Sequence, residues 1–105
     1  MHARSMIFVA KPGAADELAR LMVEVSEGLR SAPGCVAWIV SRNPEAESEV
    51  WIQELWESEA DAETALASSD EGTGPSPADV MALVDGRPRR TDLTPVGGVG
   101  FTNIG

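Results

Sequence analysis

Two consecutive segments, CVAWIVSR (35–42) and VWIQELW (50–56), carry every tryptophan of this 105-residue chain, and a polar turn over residues 43–48 separates them. Both segments alternate with a two-residue period and are rich in β-branched and aromatic residues, so the pair predicts a β-hairpin. Three indole rings bring more apolar area than a surface ribbon can leave in water, which places the packed centre of a sheet, and the wall of any cavity, on this hairpin. In the second strand Val50, Ile52, Glu54 and Trp56 share one side and Trp51, Gln53 and Leu55 the other. Neither side is cleanly polar, so cover is expected on both, and one layer of helices covers only one.

The remaining segments supply that layer. Arg4 to Lys11 reads as a short strand ended by Pro12 and Gly13. From Ala14 the apolar residues Leu18, Leu21, Met22, Val25 and Leu29 fall on one helical face, with Asp16 and Glu17 in the first turn, Arg30 in the last, and Pro33-Gly34 as the stop. Ser58 followed by Asp61 forms a capping pattern for a second helix running to about Ser69. After a loop over residues 70–75, Ser76 and Pro77 open a third, small helix that carries Val80, Leu83 and Val84 towards Gly86. Arg87 to Thr94, polar and bounded by Pro88 and Pro95, fits an edge strand.

The resulting order, strand, helix, strand, strand, helix, strand, predicts an α+β, ferredoxin-like split βαβ domain with a four-stranded antiparallel sheet and its helices on one face. Residues 1–96 form the domain. Residues 97–105 form a glycine-rich tail, flexible or packed on a second subunit through Val99, Phe101 and Ile104. Burial of the helix-free face against another copy predicts a two-fold homodimer, with a ligand cavity in its shelter.

Composition narrows the partners. A formal charge of −9, from 17 acids and 8 bases, argues against nucleic acid and anionic membrane surfaces. No apolar run is long enough for a signal-peptide core or a bilayer span, so a cytoplasmic protein is expected. Cys35 is alone and cannot close an intrachain disulfide, and no Cys-x-x-Cys or histidine pair offers a structural zinc site. Its thiol is expected to be buried and inert, since the one histidine, His2, lies in a terminus expected to fray. Arg87, Arg89 and Arg90 make the one basic cluster, which suits a solvated edge strand better than an anion site.

Glu54 and Trp56 stand out chemically. Lying on one side of one strand, they can face a cavity together, and a desolvated Glu54 would then gain proton affinity and serve as a base. Pairing with an arginine is the structural alternative for Glu54, and core packing is the alternative for Trp56, Trp38 and Trp51.

The lysine-proline-glycine step at 11–13, Pro33-Gly34-Cys35, and above all the segment ELWESEADAETALAS (54–68) together resemble the antibiotic biosynthesis monooxygenase (ABM) domain family of dimeric α+β barrels, over about Met6 to Pro95. The resemblance implies oxygenation of phenolic, hydroquinone or anthrone-like aromatics without metal, flavin or haem, the substrate's own carbanion reducing dioxygen. Such chemistry needs a dry aromatic-lined pocket, a proton acceptor and a donor for the oxyanion. Trp56 matches the tryptophan of anthrone-oxidising relatives. The relatives' asparagine four residues before it and tyrosine six residues after it are Ile52 and Ala62 here, and two frequent histidine positions are Ala65 and Asp70.

The resemblance, with the strand reading of Glu54 and Trp38, nominates Trp56 and Glu54 as catalytic and Ile52, Trp38, Ala62 and Ala65 as substrate contacts, with no cofactor. The expected function is oxidation by dioxygen of a quinol or polyketide-type phenolic, with a small hydrophobic aromatic ligand and a second copy of the chain as partners. A catalytically silent dimeric module that binds a small molecule is the alternative, and a lyase or cyclase of the same barrel class a third.

Overall fold

A computed structural model describes residues 1–68 and 74–100, and these described residues contain four strands and three helices. The order is β1 (His2–Val9), α1 (Ala15–Gly28), β2 (Cys35–Asn43), β3 (Ala46–Trp56), α2 (Glu59–Ala67), α3 (Pro77–Met81) and β4 (Arg89–Leu93). All strand pairs are antiparallel and the sheet runs β2-β3-β1-β4, the ferredoxin-like arrangement expected. The tryptophan hairpin is β2–β3, and β4 is an edge strand whose five residues are all exposed.

Three boundaries differ from the expectation, each for a local reason, while the starts of α2 and α3 agree with it. Helix α1 ends at Gly28, so Arg30 lies beyond it and pairs with Glu27 at 2.6 Å instead of facing the helix C-terminus. Strand β3 starts at Ala46, because the turn is shorter than its polar run suggests: Asn43 pairs with Ala46, and its side-chain oxygen accepts the Glu45 N–H at 3.0 Å. Helix α2 is capped by Ser58, whose hydroxyl accepts the Asp61 N–H, and α3 carries a full capping box between Ser76 and Asp79. Strand β1 starts at His2, which is not frayed: its backbone pairs opposite Trp56, and its side chain is buried.

The core lies between the sheet and the α1–α3 layer. Leu18 and Met22 of α1 and Val80 of α3 pack on Phe8, Val50 and Ile52, and Leu18, Val50 and Ile52 are completely buried. Gly34 has a left-handed backbone, φ +79°, at the turn into β2. A Cβ there would stand 2.7 Å or less from the Asp61 side chain, so glycine lets β2 begin directly against the first turn of α2.

On the opposite face Ile7, Trp51 and Leu55 are half-buried, and Ile39 and Leu93 are 40% and 53% exposed. The described residues thus cover one side of the hairpin and leave an apolar ribbon on the other. Val96 and Val99 are almost fully exposed, and Phe101 and Ile104 of the expected packing arm lie outside the described residues. No helix among the described residues is long and apolar enough to cross a membrane.

Candidate active site

Antiparallel pairing builds the site from one transverse row of the sheet. Trp38 on β2 stands opposite Glu54 on β3, Glu54 opposite Arg4 on β1, and Arg4 opposite Asp92 on β4. Paired residues project to the same face, and this row faces the helices. Its two middle members are charged and almost wholly buried, Arg4 at 5% and Glu54 at 6% exposure.

Burial at that depth demands partners. The Glu54 carboxylate accepts the Trp56 indole N–H at 2.9 Å, and Arg4 Nη1 stands 4.0 Å from the same Oε1. Arg4 donates from Nε to Asp92 and from Nη2 to Glu63, each at 3.2 Å. Arg90 then clasps Asp92 with two 3.0 Å bonds and approaches Glu63 at 3.6 Å. His2 joins at the margin, its Nε2 3.8 Å from Asp92 and without a hydrogen bond among the described residues.

Burial pushes the Glu54 carboxyl above the ordinary glutamate range, against the pull of the Trp56 hydrogen bond and of Arg4 and Arg90; Asp92 adds to the rise. The exposed Asp92 is held low, chiefly by its bonds to Arg90. Burial, with the Glu54 charge behind it, also pushes the Cys35 thiol up, the direction of a poorly reactive thiol.

Trp38, Glu54 and Arg4 of this row close the polar end of a half-open cavity of about 210 Å³ between sheet and helices. Apart from Ser76 its walls are otherwise apolar, with Met6 and Phe8 of β1, Met22 and Val25 of α1, and Ala62 and Ala65 of α2 among them. Small-molecule sites have this character, an apolar pocket with a few convergent polar groups. Five of the six candidate residues lie on its lining, namely Trp38, Glu54, Trp56, Ala62 and Ala65. Ile52 does not: it is fully buried in the core, one row away from Glu54, with no surface towards the cavity.

The antibiotic biosynthesis monooxygenase family model matches residues 1–71, which span β1 through the whole of α2 and include every one of these candidates. The chain belongs to that family. Solved structures agree with the assignment. A Chloroflexus aurantiacus J-10-fl protein bearing the family's name is 27% identical, with a TM-score of 0.72 over 96% of this chain and 98% of its own. A Mycobacterium tuberculosis protein (19% identical, TM-score 0.76, 94% and 98% covered) and a Nitrosomonas europaea protein (11%, 0.79, 90% and 97%) share the fold. No match was found among curated proteins.

Within this ABM domain, Arg4, Asp92 and Glu63 escaped the sequence reading. Arg4 left a signal all the same, a charge in step with Met6 and Phe8 on the inward face of β1. Asp92 and Glu63 left none, because each is exposed and joins the site through Arg4 and Arg90.

Proposed function

We propose that this ABM protein is a homodimeric, cofactor-independent monooxygenase that oxidises a quinol or polyketide-type phenolic aromatic in the cavity below the Trp38–Glu54–Arg4–Asp92 row. The observation that carries the reading is Glu54, a buried carboxylate with raised proton affinity on the wall of an apolar pocket. A carboxylate there is suited to accept a phenolic proton, because proton transfer is most effective when the base's pKa lies near the working pH. Trp56 acts as a positioning residue: its N–H is committed to Glu54, aiming the carboxylate, while its ring forms part of the wall. Trp38, Ala62 and Ala65 contact the aromatic body of the substrate. Once ionised, that substrate supplies the electrons that reduce dioxygen.

Dimerisation through the helix-free face covers the ribbon of Ile7, Ile39, Trp51, Leu55 and Leu93. The cytoplasm is the proposed compartment. A second reading, a silent binding module, draws support from Ala62 and Ala65, which put methyl groups on the cavity wall where relatives carry polar side chains. Dioxygen uptake with a panel of hydroquinones and anthrones separates the two. Wild type should consume oxygen, Glu54→Gln should lose most of the rate, about 10²–10⁴-fold for a lost general base, and Trp56→Phe should lose part of it. No uptake with any substrate leaves the silent module, and uptake indifferent to both substitutions refutes the roles given to Glu54 and Trp56.

A further inference from the structure

We infer that helix α2 is a lid over the cavity, hinged at its first turn and latched to the sheet through Glu63. This rests on the cavity being the ligand site of the proposed function, and adds how a ligand reaches it.

Exposure of the lining locates the mouth. Leu66 in the last turn of α2 and Pro77 and Met81 of α3 line the cavity yet are exposed, Leu66 at 53% and Met81 at 43%, whereas the other lining residues are buried or half-buried. A side chain that touches both cavity and water stands at the rim. The opening therefore lies between the last turn of α2 and α3.

Of its two lips, α2 is the weakly held one. Helices α1 and α3 send Leu18, Met22 and Val80 into the core, and α2 sends no side chain there. Ala62 is its one buried residue, Asp61 and Ala65 are half-buried, and the rest are exposed. An element with so little buried apolar area opens at low cost.

Charge supplies what packing does not. At the start of the helix the Glu57 N–H donates to the Gly34 carbonyl at 2.8 Å, and Asp61 fills the space that a Cβ on Gly34 would need, so the first turn is pinned against β2. One turn on, Glu63 Oε1 accepts from Arg4 Nη2 at 3.2 Å and stands 3.6 Å from Arg90 Nη2. A single carboxylate thus ties the middle of α2 to both β1 and β4. Release of that tie lets the helix pivot about Gly34 and Asp61, carrying Ala65 and Leu66 off the cavity and widening the mouth. Closure brings them back and shuts water out.

Stopped-flow mixing with 1-nitronaphthalene, a neutral two-ring compound that quenches indole fluorescence, reads entry through Trp38 and Trp56 on the cavity wall. Glu63→Gln keeps the size of the side chain and removes its charge. Association and dissociation rates should both rise about tenfold, the scale of one hydrogen bond to a charged group, with the dissociation constant little changed, because a lid slows entry and exit alike. Glu59→Gln removes an equal charge from the same helix at a side chain with no hydrogen bond or ion pair among the described residues, and should change neither rate. Added salt should speed wild type towards Glu63→Gln and leave that variant unmoved. Hydrogen exchange reads the same motion without a ligand: amides of residues 62–67 should exchange about tenfold faster in Glu63→Gln, with β1 and β3 unchanged.

Entry rates or exchange indifferent to Glu63, an equal response to Glu59→Gln, or exchange that quickens across the sheet as well overturns the inference. Should the probe not bind, hydrogen exchange decides alone. Gated entry without oxygen uptake on any phenolic keeps the lid and removes the oxygenase. Oxygen uptake with entry indifferent to Glu63 does the reverse.

Discussion

Removing the positive member of the buried pair, by Arg4→Met, tests whether Glu54 is held as a desolvated carboxylate. Methionine keeps most of the apolar stem and deletes the guanidinium. At 4.0 Å and the effective dielectric typical of such sites, the direct attraction between the two groups is about 4 kcal/mol. Desolvation of both offsets much of that in the intact pair, but truncating one partner leaves the other buried without compensation, which costs about 3–5 kcal/mol. For a domain of this size that is a fall of roughly 12–20 °C in Tm, measured at fixed protein concentration because dimerisation would contribute.

The pH dependence identifies the group responsible. Glu54 is raised in the folded state, so its favourable contribution is fully present below the unfolded glutamate value of about 4.3 and is lost as pH rises through the folded value. Without Arg4 the folded value moves further up. The deficit of Arg4→Met relative to wild type should therefore be small near pH 4 and reach its maximum above the raised value, while Asp92, held low, stays ionised through that window. Urea unfolding followed by tryptophan fluorescence reads both. The double variant Arg4→Met/Glu54→Gln should recover about 1–3 kcal/mol over Arg4→Met. A deficit that ignores pH, or a double variant no more stable than the single, refutes the premise that a buried charge at Glu54 is the cost.

Two further outcomes bear on the rest of the site and fold. Ile39→Glu puts a charge on the helix-free ribbon and should convert a dimer to monomer in sedimentation experiments without altering the far-ultraviolet spectrum; a wild-type chain that sediments as a monomer at micromolar concentration refutes the face-to-face pairing. Cys35 senses Glu54 through space, so alkylation at mildly alkaline pH should be slow in wild type and faster in Glu54→Gln, as the thiol's ionisation shifts down when the neighbouring charge is removed; unchanged rates refute that coupling.

What was legible in the chain was set by short-range physics. The 3.6-residue spacing of Leu18, Met22 and Val25 marks α1, the alternation around Trp38 and Trp51 marks the hairpin, and Ser58 and Ser76 mark the starts of α2 and α3 through hydrogen bonds made within four residues. Turn lengths were harder to read. The polar run at 43–48 looks like loop by composition, but most of it is strand, because an Asn43 side chain that closes its own turn lets pairing resume at Ala46.

The charged half of the site was hidden for a different reason: it is a property of register. Arg4 and Glu54 are fifty residues apart in the chain, and nothing near either one reports that β1 and β3 will align them. A slip of one residue in that pairing would turn every side chain of β1 to the other face, sending Phe8 and Arg4 to the open ribbon and Ile7 and Ser5 inward. The apolar residues prevent the slip. Phe8 opposite Val50 and Met6 opposite Ile52 bury their area only in the observed register, and that register carries Arg4 to Glu54 and Asp92 to Arg4. Hydrophobic packing at one end of the strands therefore sets the spacing of the charges at the other. The route from sequence to chemistry here runs through strand alignment, with no local motif to announce it.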